Sequence, residues 1–214
     1  MKKLLSTVIA LSALVGVFLL ALPSILRTAG LHPEYHGKTV ELPGMRALII
    51  TTSHGVLAAP GETDGSATGV AASELTHPYY TFLDGGMSVD VASIKGGDIP
   101  IDPKTLLFMV ASPEDKRFLN DSAAQAKVQN SIAITDVDVD QYEIVFIAGG
   151  WGAAYDLAQS LDLATLVSTA YYDERAPVIG GVCHGVLGLV NARDRDDELL
   201  IAGRRMTGVT DKQI

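Results

Sequence analysis

Residues 142–152 read Tyr142-Glu143-Ile144-Val145-Phe146-Ile147-Ala148-Gly149-Gly150-Trp151-Gly152, and this stretch decides the fold. A short apolar run rich in β-branched residues and closed by paired glycines predicts a strand buried on both faces, as a parallel sheet covered by helices requires. Three further runs have the same character: Ala47–Thr51, Ser88–Ala92 after the Gly85-Gly86 turn, and Pro177–Val182. Between them lie stretches with helical spacing. Val70–Leu83 places Ala71, Leu75, Tyr79 and Phe82 on one side, with Pro78 expected to kink or divide it. Lys116–Val128, Ala153–Gln159, Leu163–Tyr172 and His184–Asn191 also read as helices, Thr105–Val110 as a short strand, and Leu199–Thr207 as a strand pair. This alternation predicts an α/β fold, an open and mostly parallel sheet with helices on both faces. Its sites should lie at the carboxyl ends of the strands.

Upstream of the sheet, Leu4–Leu26 is a 23-residue run without a charge, preceded by Lys2 and Lys3 and followed by Arg27. As a helix it would extend about 34 Å, enough for a hydrocarbon core of about 30 Å. The run exceeds the apolar region of a cleaved signal, and the exits near Ala21 and Ser24 make poor cleavage sites. Residues 1–27 are therefore expected to be an N-terminal transmembrane signal anchor, with a signal peptide as the alternative. Residues 28–43, punctuated by Gly30, Pro33, Gly37 and Pro43, read as a linker, and residues 44–214 as the α/β domain. That domain would lie outside the cytoplasm, membrane-anchored or secreted.

Composition narrows the function. The chain has 214 residues, 48% of them hydrophobic, and 16 Lys+Arg against 25 Asp+Glu for a net charge of −9. A nucleic-acid partner is disfavoured, because phosphate binding needs a basic stripe. A single cysteine excludes an internal disulfide and a cysteine-rich zinc site, and five scattered histidines give no metal motif.

That cysteine lies in Gly181-Val182-Cys183-His184-Gly185, where a buried strand should turn into a helix. A nucleophile at such an elbow is held exposed on a strained turn, and small neighbours let substrate and backbone approach. The helix start should lower the thiol pKa. A structural cysteine would not need glycines on both sides. His184 is adjacent, although adjacency alone does not pair it with the sulfur. Glu74 falls about 40° from Pro78 and about 60° from Ala71 on its helix, so it borders the apolar face. There it is either a carboxyl of raised pKa, fit for acid–base work, or an ordinary glutamate at the rim of the core. The N–H groups of Gly149-Gly150-Trp151-Gly152, Gly150 above all, could form an oxyanion hole with that of His184, or the glycines could simply make a tight turn. Tyr155 breaks a dinucleotide-binding G-x-G-x-x-G.

With these features in place, residues 46–210 resemble the ThiJ/PfpI superfamily of class I glutamine amidotransferase-like folds. The resemblance is most specific in Glu74-Leu75-Thr76-His77-Pro78-Tyr79-Tyr80, in Val91–Pro103 and in the cysteine elbow, which are similar to the branch of glutathione-independent glyoxalases and stress chaperones. It implies a flavodoxin-like sheet, often in a homodimer, with Glu74, Cys183 and His184 as catalytic residues. It also implies a small carbonyl substrate, conversion of methylglyoxal to lactate or a related deglycase reaction, and no metal or organic cofactor. Where this branch often has Gly-Gly-His-Gly, the chain has Trp151, a candidate pocket residue. A third acid would fall just after Thr207-Gly208-Val209-Thr210, where Asp211 is the nearby acid. Family domains usually continue with further strands and a helix beyond this point, so the chain is expected to lack the usual carboxyl-terminal end. Two other classes fit the elbow: a holdase-type chaperone or interaction module, and a membrane-tethered cysteine peptidase or amidase.

Overall fold

The 142–152 stretch forms the strand Ile144–Ile147, and the rest of the domain is arranged around it. The computed structural model describes residues 2–31, 33 and 35–209. In chain order the strands are β1 (Arg46–Thr51), β2 (Val56–Leu57), β3 (Ser66–Ala67), β4 (Ser88–Ser93), β5 (Ile132–Ala133), β6 (Ile144–Ile147) and β7 (Val178–Gly181). The α-helices are α1 (Lys2–Thr28), α2 (Ala72–Asp84), α3 (Pro113–Phe118), α4 (Ser122–Gln129), α5 (Ala153–Asp156) and α6 (Leu161–Tyr172). Five strands make one sheet in the order β5-β4-β1-β6-β7, and every pairing in it is parallel. Winding reverses at β1, so a crevice opens between the carboxyl ends of β1 and β6, where such sheets place their ligands. The remaining two strands form a small antiparallel hairpin, β2 with β3.

Alternation along the strands fills both faces. Leu48, Ile50, Val145 and Ile147 pack with Leu157, Leu163, Leu166 and Val167 of the α5–α6 side. Ile49, Val89 and Val91 pack with Leu75, Tyr79 and Tyr80 of α2, Phe118 of α3 and Val128 of α4. The expected open sheet with a helical layer on each face is therefore present. Each core leucine or isoleucine removed from water contributes on the order of 2 kcal/mol. The helix α1 stands apart from this core, and its Lys3–Thr28 segment, whose most apolar 18-residue window has mean hydropathy 2.5, is long and apolar enough to cross a membrane.

Several local expectations are corrected. Residues 105–110 are not a strand. The Asp102 carboxylate accepts the Lys104 N–H at 2.9 Å and Pro103 supplies a fixed φ, so a 3₁₀ turn, Pro103–Leu106, forms instead. The predicted helix 116–128 is two helices. Asp121 divides them by accepting the N–H groups of Ala123 and Ala124, both at 3.1 Å, as the N-cap of α4. Pro78 does not divide α2, which runs unbroken to Asp84. The helix expected over 153–159 is only the short α5, and that over 184–191 is a 3₁₀ helix, Cys183–Leu189. In place of a strand pair at 199–207, a single antiparallel bridge joins Arg193 to Leu199.

Candidate active site

The turn after β6 is built to touch α2. Gly150 has φ +91°, and a Cβ there would come within 2.4 Å of the Ala71 nitrogen, so only glycine allows the contact. This approach brings Glu74, in the first turn of α2, to the end of β6. Its Oε2 accepts the Gly149 N–H at 2.9 Å. Burial pushes the Glu74 carboxyl above the ordinary glutamate value, against the opposing hydrogen bonds of Cys183, Gly149 and Gly150.

The elbow after β7 meets the same point. Cys183 opens the 3₁₀ helix Cys183–Leu189 with φ +54°, a left-handed backbone on a residue other than glycine, which costs about 1–2 kcal/mol. Gly185 lets the elbow press on β6, since a Cβ there would lie 2.2 Å from the Ile147 carbonyl oxygen. Burial and the Glu74 carboxylate hold the Cys183 thiol above its ordinary value, although N–H groups of His184 and Gly150 bond the sulfur and favour its anion. This reverses the expectation of an acidic thiol. The elbow leads into one short 3₁₀ helix with little dipole to offer, and a carboxylate faces the sulfur.

His184 completes the cluster. Its Nδ1 lies 3.4 Å from the Cys183 Sγ, so the two neighbours do point together. Burial pulls its imidazole below the ordinary value, which keeps it neutral and able to accept a proton near pH 7. Trp151 packs against the same imidazole, ring centroids 4.9 Å apart and planes tilted 41°. The structure therefore brings Glu74, Cys183, His184, Trp151 and the N–H groups of Gly150 and His184 into one place. Asp211 lies outside the described residues. Among those described, no group of three or more His, Cys, Asp or Glu could hold a metal ion.

Sequence reasoning missed the clamp that holds this turn. Asp156 of α5 accepts the Thr52 hydroxyl at 2.7 Å and the Ser53 N–H at 2.8 Å, fastening the segment after Trp151 to the end of β1. Tyr155 stacks on His54 with centroids 4.1 Å apart and planes 9° apart, and its hydroxyl donates to the Ala58 carbonyl at 2.7 Å. The spacing G-W-G-x-x-Y-D after a strand was the available signal, but its partners lie about a hundred residues upstream.

Comparison with known proteins identifies the family of this fold. Residues 66–213 match the DJ-1/PfpI family. The chain is 30% identical over 152 residues to glyoxalase 3 of Candida albicans, covering 70% of this chain and 63% of that protein. It is 31% identical over 152 residues to the glutathione-independent glyoxalase HSP31 of Saccharomyces cerevisiae, with the same 70% and 63% coverage. The chain thus spans less than two thirds of the length of these curated relatives. A crystal structure of glyoxalase III from Candida albicans superposes with a TM-score of 0.69 at 28% identity, over 79% of this chain and 70% of that one.

Proposed function

The chain belongs to the DJ-1/PfpI family, and from that premise we propose that it is a glutathione-independent glyoxalase that converts a small α-oxoaldehyde such as methylglyoxal to the 2-hydroxy acid. The observation that carries this reading is the convergence of a carboxyl group and a neutral imidazole on one sulfur held on a strained elbow.

In this mechanism the Glu74 carboxylate takes the S–H proton as sulfur attacks the aldehyde carbon. The carbonyl π pair moves to oxygen beside the His184 and Gly150 N–H groups, and that oxygen receives the proton to give a hemithioacetal. His184 removes the hydrogen on the former aldehyde carbon as a proton. Its bonding pair forms the C=C bond of an enediolate, and the neighbouring ketone oxygen takes the charge. The proton returns to the ketone carbon, and the hydroxyl proton on the first carbon passes to the charged former ketone oxygen as the first C–O bond becomes C=O, which leaves the thioester of the 2-hydroxy acid. Water then cleaves the acyl C–S bond, releasing the hydroxy acid and restoring the thiol. The reaction is internally redox-balanced and consumes only water.

Lactate release from methylglyoxal, without glutathione, tests the proposal, with Cys183→Ala as the control. No lactate from the unsubstituted chain would sink it. Under the same reading, residues 44–214 are the catalytic domain, 28–43 a linker, and 1–27 a membrane anchor. The last point is supported by the length and hydropathy of the Lys3–Thr28 helix. Carbonate extraction of membranes, with determination of the mature amino terminus, separates an anchor from a cleaved signal.

A further inference from the structure

The mechanism uses three side chains of the cluster and leaves the fourth, Trp151, without a role. Its indole can neither give nor take a proton near pH 7, yet it is the large side chain set against the imidazole that faces the sulfur. It keeps 38% of its surface exposed, so part of the ring is open to a ligand. Its backbone is fixed on both sides. Gly150 is pressed on Ala71, the Gly152 N–H donates to the Gly69 carbonyl at 3.1 Å, and Asp156 anchors α5 to the end of β1.

The charges nearby point the same way. The leading influences that shift Glu74, Cys183 and His184 are burial, one another and backbone N–H groups. A site governed by burial disfavours a charged substrate. It suits a neutral molecule with an apolar group.

We propose that Trp151 is a specificity-determining wall, which makes the preferred substrates neutral α-oxoaldehydes whose ketone carbon carries an aryl or bulky alkyl group. With the aldehyde carbon bonded to Sγ, the ketone carbon is one bond further out, and its substituent comes within reach of the indole. A phenyl group there meets the ring offset or edge-on, as aromatic pairs prefer. This inference rests on the proposed glyoxalase reaction, and its test keeps the two apart.

The first measurement is kcat/KM for phenylglyoxal and methylglyoxal in the unsubstituted chain, Trp151→Ala and Trp151→Phe. The unsubstituted chain should favour phenylglyoxal by about tenfold, the size expected for one aromatic contact with its buried area. Trp151→Ala should lower that ratio by about 3–10-fold, and Trp151→Phe should restore most of it. A ratio unmoved in Trp151→Ala, or a preference for methylglyoxal in the unsubstituted chain, overturns the proposal.

The second measurement needs no turnover. Trp151 is the only tryptophan, so its emission reports on this site alone. In Cys183→Ala, acetophenone should quench or shift that emission saturably and acetone should do so far more weakly. Saturable quenching without turnover of either aldehyde by the unsubstituted chain would discard the glyoxalase reading and keep the aryl-binding wall. Turnover of both aldehydes without quenching, and with an unmoved ratio, would keep the reaction and discard the wall.

Discussion

Asp90 and Glu74 sit at opposite ends of one sheet and are treated in opposite ways. Asp90, in the amino-terminal half of β4, accepts from Arg46 at 2.6 Å, Lys127 at 2.9 Å and Tyr142 at 3.2 Å. Burial pushes its carboxyl up, but the hydrogen bonds of Arg46 and Lys127 outweigh it and hold the group below the ordinary aspartate value. Glu74, by the carboxyl end of β6, is offered backbone N–H groups and a thiol, so burial wins and its value rises. A carboxylate compensated by two cations is locked in one protonation state and ties β4 to β1 and α4. One left with dipoles and a thiol is held closer to the point where it can take up and release a proton. The sheet thus has a stabilising end and a reactive end, distinguished by where the cations are.

The largest effect that could break this contrast is on turnover. Glu74→Gln should reduce activity on an α-oxoaldehyde by about 10²–10⁴-fold, the range for losing a general acid–base. Full activity in that variant would move Glu74 to the stabilising class. Next comes the clamp. Asp156→Ala leaves the Thr52 hydroxyl and Ser53 N–H without their acceptor and should cost about 2 kcal/mol in denaturant unfolding. A change below about 0.5 kcal/mol would show that α5 does not need this tie. At the other end, Asp90→Ala should cost about 1–2 kcal/mol, with turnover at saturating substrate within about twofold of the unsubstituted chain.

The finest discrimination is in pH. Asp90 is depressed in the fold, so its stabilisation is present above the unfolded value of about 3.9 and is lost as pH falls through the folded value. Glu74 is raised, so its contribution is present below the unfolded value of about 4.3 and is lost as pH rises through the folded value. The melting temperature of Glu74→Gln should therefore gain on the unsubstituted chain with rising pH, while that of Asp90→Asn should gain with falling pH. Parallel curves would erase the contrast. Iodoacetamide labelling gives a matching sign. Cys183 should titrate above the ordinary thiol value of about 8.5, and Glu74→Gln should shift its labelling to lower pH by removing the negative charge beside it.

The frame was legible wherever a strand is long enough to be an apolar run: β6 and β7 fall within predicted strands, and β1 and β4 extend theirs by one residue each. Strands of two residues, β2, β3 and β5, carry no readable period, because their pairing is set by neighbours distant in the chain. The errors at 105–110 and 116–128 came from Asp102 and Asp121, whose carboxylates recruit nearby N–H groups and override the apolar pattern. Cys183 and Glu74 were visible through local signals, glycines around one and a helix-face boundary under the other. The direction of the thiol's shift was not, since it depends on which group folds against the sulfur.

The left-handed backbone at Cys183 also names the best inert twin of this protein. Alanine or serine at 183 would keep the steric penalty of φ +54° while losing the sulfur. Glycine removes that penalty, about 1–2 kcal/mol, and gives back about 0.5–1 kcal/mol through the entropy of its unfolded chain. Cys183→Gly should therefore be at least as stable in urea as Cys183→Ala, and equally silent in the lactate assay. Such a twin would separate what the folded surface does in a cell from what the sulfur does.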